Sequence, residues 1–253
     1  MRRGVGVTEA IRNTVPEWVV DVFSIVTLLG DWLFIVPALG LLYLGDVVGT
    51  LRAGDQGGEK PQRGQTSQQQ PLCSDRTVFV IGAVFGGLAL ILLLESLFGL
   101  SRPPEELHAV TPSEYGFPSG HTMAATVFWG GLALWSTVGR FRTRLLVAAL
   151  VITVVGLSRL VLGVHFFVDI PAAILFGGLY LAAVDRWLRD RPAAVFALAT
   201  VIAIGATIST GGSTRTLLAV GGTITAAIGW RVVEWPPVRG LVVTVASRVQ
   251  GTR

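Results

Sequence analysis

The sequence predicts an all-α fold, a polytopic transmembrane bundle of about six to seven membrane helices, and three observations carry that prediction. Of the 253 residues, 51% are hydrophobic and only 14% charged, against roughly 25% charged in soluble domains. The apolar residues gather in long blocks near the ~20 residues that a helix needs to cross a bilayer, where each backbone polar group must be satisfied within its own segment. The one cysteine, Cys73, excludes both a disulfide framework and a cysteine-built metal site.

Seven blocks justify the helix count in order: Val19 to Leu44, Thr77 to Phe98, Ser119 to Val138, Leu145 to Leu162, Phe166 to Ala183, Ala193 to Ile208 and Leu217 to Val233. The first is too long for one straight span, and Asp21 and the Gly30-Asp31 pair interrupt it. Residues 1–45 are therefore read as an amphipathic interfacial segment followed by the first membrane helix. A signal peptide is the rival reading, but Asp21 breaks its apolar run and no small-x-small cleavage site follows. Residues 46–76 turn abruptly to Gly, Gln, Ser and charge, the composition of a flexible loop, with Cys73 expected as an exposed thiol. Residues 77–185 form the core of the bundle, and 186–253 the C-terminal helices and a tail. Trp18, Trp32, Tyr43, Trp187 and Trp230 stand near block ends, as interfacial anchors do. Asp21, Asp31 and Asp185 are expected as helix-end or packing groups.

The formal charge is +4, almost all from arginine, with Lys60 the only lysine. No basic stretch is interleaved with aromatics, so nucleic acid is not an expected partner. The arginines instead mark topology: Arg52, Lys60, Arg63, Arg76, Arg140, Arg142, Arg144, Arg186, Arg189, Arg191 and the C-terminal arginines fall on one side of the spans. The positive-inside rule makes that side cytoplasmic. Arg2, Arg3 and Arg12 disagree unless the N-terminal segment does not simply span once. This places the chain in the cell membrane, with its polar loops on the extracytoplasmic face.

All three histidines, His108, His121 and His165, fall in those outer loops and helix starts. Arg102 and Arg159 are forked, permanently charged donors suited to phosphate oxygens. Ser119 and Gly120 stand where a helix begins, and free amides there favour an anion. His165 and Asp169 are four apart and would share a helix face, the carboxylate holding the Nδ1 proton while Nε2 points outward. A histidine so held is prepared as a nucleophile, and His121 can donate a proton to a leaving oxygen. The arrangement calls for no metal and no cofactor.

Three sequence motifs give these residues a family likeness. Pro118-Ser119-Gly120-His121, then Ser158-Arg159 with His165 and Asp169, and before both Arg102-Pro103, stand in the order and spacing of the type 2 phosphatidic acid phosphatases. This superfamily of lipid phosphate phosphatases is related to the vanadium haloperoxidases. The chain resembles it over roughly Thr77 to Asp185. The resemblance implies a membrane hydrolase in which His165 attacks phosphorus to form a phosphohistidine, oriented by Asp169. His121 would protonate the leaving alcohol and then activate water, while Arg102, Arg159, Ser119 and the Gly120 amide bind phosphate. One position departs: the family's first motif is Lys-x6-Arg-Pro, and Glu95 occupies the lysine's place. His108 lies outside the motifs, and Glu105, Glu106 and Glu114 read as solvated loop charges.

The expected substrate is a lipid phosphomonoester or pyrophosphate, phosphatidic acid-like or polyprenyl, met among membrane lipids. Rival readings are a phosphotransferase or lipid synthase using the same site, and a catalytically impaired lipid-binding member because of Glu95. A transporter lacks visible repeat symmetry.

Overall fold

The structure is a computed structural model and describes residues 5–56 and 71–250. Two short helices, α1 (Val5–Thr14) and α2 (Glu17–Val26), lead through a single 3-10 turn at Thr27–Gly30 into α3 (Trp32–Gln56). Seven further helices follow: α4 (Asp75–Phe98), α5 (Gly120–Trp135), α6 (Phe141–Val161), α7 (Asp169–Leu188), α8 (Pro192–Ser209), α9 (Thr214–Val233) and α10 (Pro236–Gln250). Six of them, α3, α4, α6, α7, α8 and α9, contain segments long and apolar enough to cross a membrane. The protein is an integral membrane helical bundle.

Local chemistry sets the ends. Ser74 caps α4 by accepting from the Thr77 amide, and Ser213 caps α9 by accepting from Thr216. Gly99, left-handed at φ 55°, closes α4 with a bond from its amide to the Glu95 carbonyl. At 16 residues, α5 is only ~24 Å long, yet it lies at the centre, packed on α4, α6 and α7. Its inward residues Met123, Ala124, Val127 and Phe128 join Val80, Val84 and Ile91 of α4 and Tyr180 and Leu181 of α7 in the main core. The outer faces keep their apolar side chains uncovered, among them Leu41, Leu146, Leu150 and Val201. In a protein of this hydropathy those faces meet lipid.

Several sequence expectations change here. The first apolar block breaks where Gly30-Asp31 stands, but α3 then runs on to Gln56, well past the expected start of the loop. Residues 57–70, with Lys60 and Arg63, lie outside the described residues, as do Arg2, Arg3 and Arg253. Cys73 is not an exposed thiol: it is fully buried, its Sγ 3.3 Å from Asp46 Oδ2, because the chain entering α4 folds under the end of α9. Burial beside that carboxylate pushes the thiol's pKa up. Trp18, Trp32 and Trp187 are exposed as anchors should be, whereas Tyr43 and Trp230 pack inward on the small core around Cys73 and Phe196. The C-terminal tail contains a helix, α10, that the apolar-block reading missed.

The helices alternate in direction, so the bundle has two distinct ends. One carries the start of α3, the α4–α5 loop, the α6–α7 turn and the start of α9. The other carries Arg52, Arg76, Arg140, Arg142, Arg144, Arg186, Arg189 and Arg191. The ten-residue α1 and α2 are each only ~15 Å long and cross nothing. They pack on α6 at the first end, where Val20 meets Val161, Leu162 and Val164, so Arg12 also belongs to that end.

Candidate active site

The α6–α7 turn brings His165 into the protein. Gly163 has φ 71°, and a Cβ there would collide with the Leu107 carbonyl, so only glycine lets the turn close against the α4–α5 loop. The Ala109 amide donates to the Leu162 carbonyl across the same contact, 3.0 Å. His165 is consequently 1% exposed.

Its hydrogen bonds fix its tautomer. Arg102 Nη1 lies 2.9 Å from His165 Nε2, and a guanidinium only donates, so Nε2 accepts and the ring proton resides on Nδ1. Nδ1 donates to the Gly116 carbonyl at 2.9 Å and faces Asp169 Oδ2 at 3.3 Å. Burial first, then the positive charges of Arg102 and Arg159, holds His165 well below the ordinary histidine pKa. The imidazole is neutral at pH 7 with its Nε2 lone pair on the arginine side.

The pairing of His165 with Asp169 arises differently from the shared helix face expected. His165 precedes α7, and Asp169 is that helix's first residue. The carboxylate reaches back to the turn, where Oδ2 also accepts from the Phe166 amide at 2.8 Å.

Arg102 is anchored in the α4–α5 loop by Nε to the Ser113 carbonyl, 2.5 Å, Nη2 to Ser113 Oγ, 2.7 Å, and Nη1 to the Val164 carbonyl, 2.9 Å. Arg159, in the last turn of α6, is 4% exposed. Its Nη1 donates to Thr27 Oγ1 at 2.8 Å, while its Nε has no partner among the described residues. A buried guanidinium N–H without a protein acceptor is a donor suited to an anion's oxygen.

Ser119 caps α5 without a side-chain bond to a helix amide; its Oγ instead meets Thr122 Oγ1 at 2.9 Å, and its own amide donates to the Asp169 carbonyl at 3.2 Å. That amide bond ties the Pro-Ser-Gly-His turn to α7. From Gly120 onward the first-turn amides of α5 have no carbonyl one turn back within the helix. His121 Nε2 faces Asp31 Oδ2 at 3.1 Å, and His121 is near enough to act electrostatically on His165.

Glu95 is 5% exposed and does not point away. A Cβ placed on Gly120 would sit 2.8 Å from its Oε1, so the carboxylate lies against the start of α5. It acts on Arg215, Arg102 and Arg159 through space rather than by a direct bond. His108 braces the loop instead: its Nε2 is 3.0 Å from the Pro103 carbonyl. Glu105, Glu106 and Glu114 are exposed, and Asp185 accepts from Trp135 Nε1 at 2.7 Å, a packing role.

The structure thus gathers His165, Asp169, Arg102, Arg159, His121, Ser119, Gly120 and Glu95 at one end of the bundle. Sequence reasoning missed Asp31, Thr27 and Arg215. Asp31, expected as a helix-end group, does cap the Leu33 amide through Oδ1 at 2.8 Å, but its other oxygen faces His121.

Residues 76–193, spanning every motif position except the N-terminal contributions, match the PAP2 superfamily. Among solved structures, the fold is similar to that of the first transmembrane PAP2 type phosphatidylglycerolphosphate phosphatase from Bacillus subtilis. The likeness has a TM-score of 0.56 at 21% identity, over 74% of this chain and 85% of that one. No curated protein matches the sequence significantly.

Proposed function

We propose that this PAP2 chain is a lipid phosphate phosphatase that hydrolyses a phosphomonoester or pyrophosphate of a membrane lipid through a phosphohistidine at His165. The observation that carries the reading is the state of His165: Nε2 is a lone pair facing Arg102, and the Nδ1 proton is held by Gly116 and Asp169. That is an imidazole prepared for attack on phosphorus.

Substrate phosphate draws Arg102 off Nε2 and onto its own oxygens, and Arg159 Nε and the Gly120 amide take the others. Nε2 attacks, the bond from phosphorus to the lipid oxygen breaks, and His121 gives that oxygen its proton. In the second half, His121 takes a proton from water as the water oxygen attacks phosphorus. The P–N bond breaks, returning neutral His165 and free phosphate. The arginines and the amide face the equatorial oxygens throughout, where charge gathers in the transition state. No step of this proposed reaction calls on a metal.

A lipid substrate is supported by the flank of the site. Phe98, Phe117 and Phe176 form a cluster with ring centroids 5.0 to 6.3 Å apart, beside Pro118, an apolar surface for chains entering from the bilayer. The similar Bacillus subtilis protein is a phosphatidylglycerolphosphate phosphatase, which favours a phosphomonoester lipid. The arginine-rich opposite end supports, by the positive-inside rule, a site on the extracytoplasmic face of the cell membrane.

Glu95 favours a second reading. A carboxylate beside the phosphate arginines weakens the grip on a dianion, which suits a phosphotransferase that passes the group to an alcohol, or an impaired lipid-binding member.

The test is purified protein in detergent with EDTA, offered phosphatidic acid, phosphatidylglycerolphosphate and polyprenyl phosphates and diphosphate. Hydrolysis predicts phosphate release that persists in EDTA and vanishes in His165→Ala. Release that needs an added alcohol identifies the transferase, and none from any lipid sinks both enzymes. For orientation, an impermeant maleimide should label Glu105→Cys in intact cells and Val138→Cys only after lysis, with buried Cys73 silent; the reverse pattern overturns the face assigned.

A further inference from the structure

Residues 27–31 lie outside the PAP2 match at 76–193, yet three contacts tie them to its motif residues. Thr27 Oγ1, on a residue 7% exposed, accepts from Arg159 Nη1 at 2.8 Å. Asp31 Oδ2 stands 3.1 Å from His121 Nε2. Gly30 is buried between them, and a Cβ there would collide with the His121 carbonyl and lie 2.8 Å from Val155 Cγ1. The 3-10 turn is therefore packed directly on the strand of chain that begins α5, and its close approach depends on glycine.

We propose that the Thr27–Asp31 turn is a working part of the active site, in which Asp31 is a positioning residue that selects the catalytic nitrogen of His121 and Thr27 fixes the guanidinium of Arg159. The inference rests on the phosphatase reading above. Asp31 also accepts from the Leu33 amide, so its carboxylate is held in place by the start of α3 while its second oxygen meets the imidazole. The His121 bond, opposed by burial and aided by the Leu33 amide and Arg159, keeps Asp31 below the ordinary carboxylate pKa. An ionised carboxylate accepts only, so the Nε2 proton of His121 stays on Nε2. The proton exchanged with substrate is then the one on Nδ1: it goes to the leaving lipid oxygen in the first half-reaction and is replaced from water in the second. The charged groups acting on His121 are Asp31, Arg159 and Arg102. Both arginines disfavour the imidazolium, and Asp31 is the anion that offsets them.

Asp31→Asn and Asp31→Glu in the full-length protein test this, with Thr27→Val as companion. Three readouts are needed. Phosphate release from a lipid phosphate, whose alkoxide needs a proton, should fall at least ~10-fold in Asp31→Asn. The nitrophenol burst from p-nitrophenyl phosphate, whose leaving group needs none, should change by less than about twofold. The basic limb of the pH–rate profile should move to lower pH, because the imidazolium loses its anion. Asp31→Glu should recover part of the lipid rate. Thr27→Val should raise KM more than it lowers kcat. Equal losses on both substrates with an unmoved basic limb would make Asp31 merely structural and overturn the proposal, as would an unchanged rate. Nitrogen-15 shifts of His121 give a readout free of activity: the Nε2–H tautomer in the wild type, lost in Asp31→Asn, supports Asp31 as its selector even if no lipid phosphate is cleaved, and that last result would count against the phosphatase reading alone. A tautomer unchanged by Asp31→Asn sinks the inference.

Discussion

At one end of the bundle Asp46 Oδ2 accepts from the Ser74 amide at 2.7 Å, Ser74 Oγ at 2.8 Å and Cys73 Sγ at 3.3 Å, while Glu234 accepts from the Leu72 and Cys73 amides at 3.2 and 2.9 Å. At the other end the Glu95 carboxylate meets its three arginines only through space, and Arg159 keeps a buried N–H unbonded. Both ends put carboxylates into an apolar bundle, yet Asp46 and Glu234 are hydrogen-bonded whereas Glu95 meets its neighbours only through space. A saturated cluster joins α3, α4 and α9, although Tyr43 Oη nearby is buried without a partner. At the other end, among the described residues, Arg159 Nε remains a free donor, which under the proposed function would meet a phosphate oxygen. What separates the two ends is where the unmet capacity lies: on the charged Arg159 guanidinium at the site, and on the neutral Tyr43 hydroxyl at the knot.

The contrast can be broken by removing one side chain from each end. The largest effect is expected from Arg159→Ala, which should cut lipid phosphate turnover by about 10²- to 10³-fold, as loss of a transition-state donor does, with little change in Tm. A large fall in Tm with turnover preserved would make Arg159 part of a structural cluster instead. Asp46→Ala should show the opposite division. Freeing the Ser74 amide and hydroxyl and the Cys73 thiol is expected to cost about 1–3 kcal/mol of stability, read as a lower unfolding midpoint, with turnover per folded molecule unchanged. Loss of turnover without loss of stability would mean that the knot communicates with the site. The smallest effect sharpens the comparison within the site itself: Glu95→Gln removes a negative charge beside Arg102 and Arg159 and should lower KM for a lipid phosphate about tenfold. A raised KM would show that Glu95 is a substrate ligand, not a brake on phosphate binding.

Much of the site was legible in the sequence because its chemistry is local. Pro118 to His121 and Arg159 to Asp169 are short runs whose order and spacing carry their meaning, and the apolar blocks located α4 to α9 to within a few residues. The His165–Asp169 pair was read correctly as a pair but by the wrong geometry, since periodicity cannot tell the last turn of one helix from the loop before the next. Cys73 was misread because the composition around it is polar. Its burial depends on Asp46 and Glu234, far away on α3 and α9, and no local signal announces a partner so distant. Asp31 was read as a helix-end group, which its bond to the Leu33 amide bears out, but its second contact, with His121 90 residues away, had no local signal either.

The sequence by itself determined that this chain lies in a membrane, that its helices form one bundle, and which residues carry the family's motifs. Those follow from hydropathy and from short spacings, which every conformer of the chain shares. Only the tertiary structure decided which carboxylate meets His121, that Glu95 lies near Arg102 and Arg159, and that an N-terminal turn packs against the start of α5. Such contacts join segments whose separation along the chain says nothing of their separation in space, so they exist only once the helices have packed.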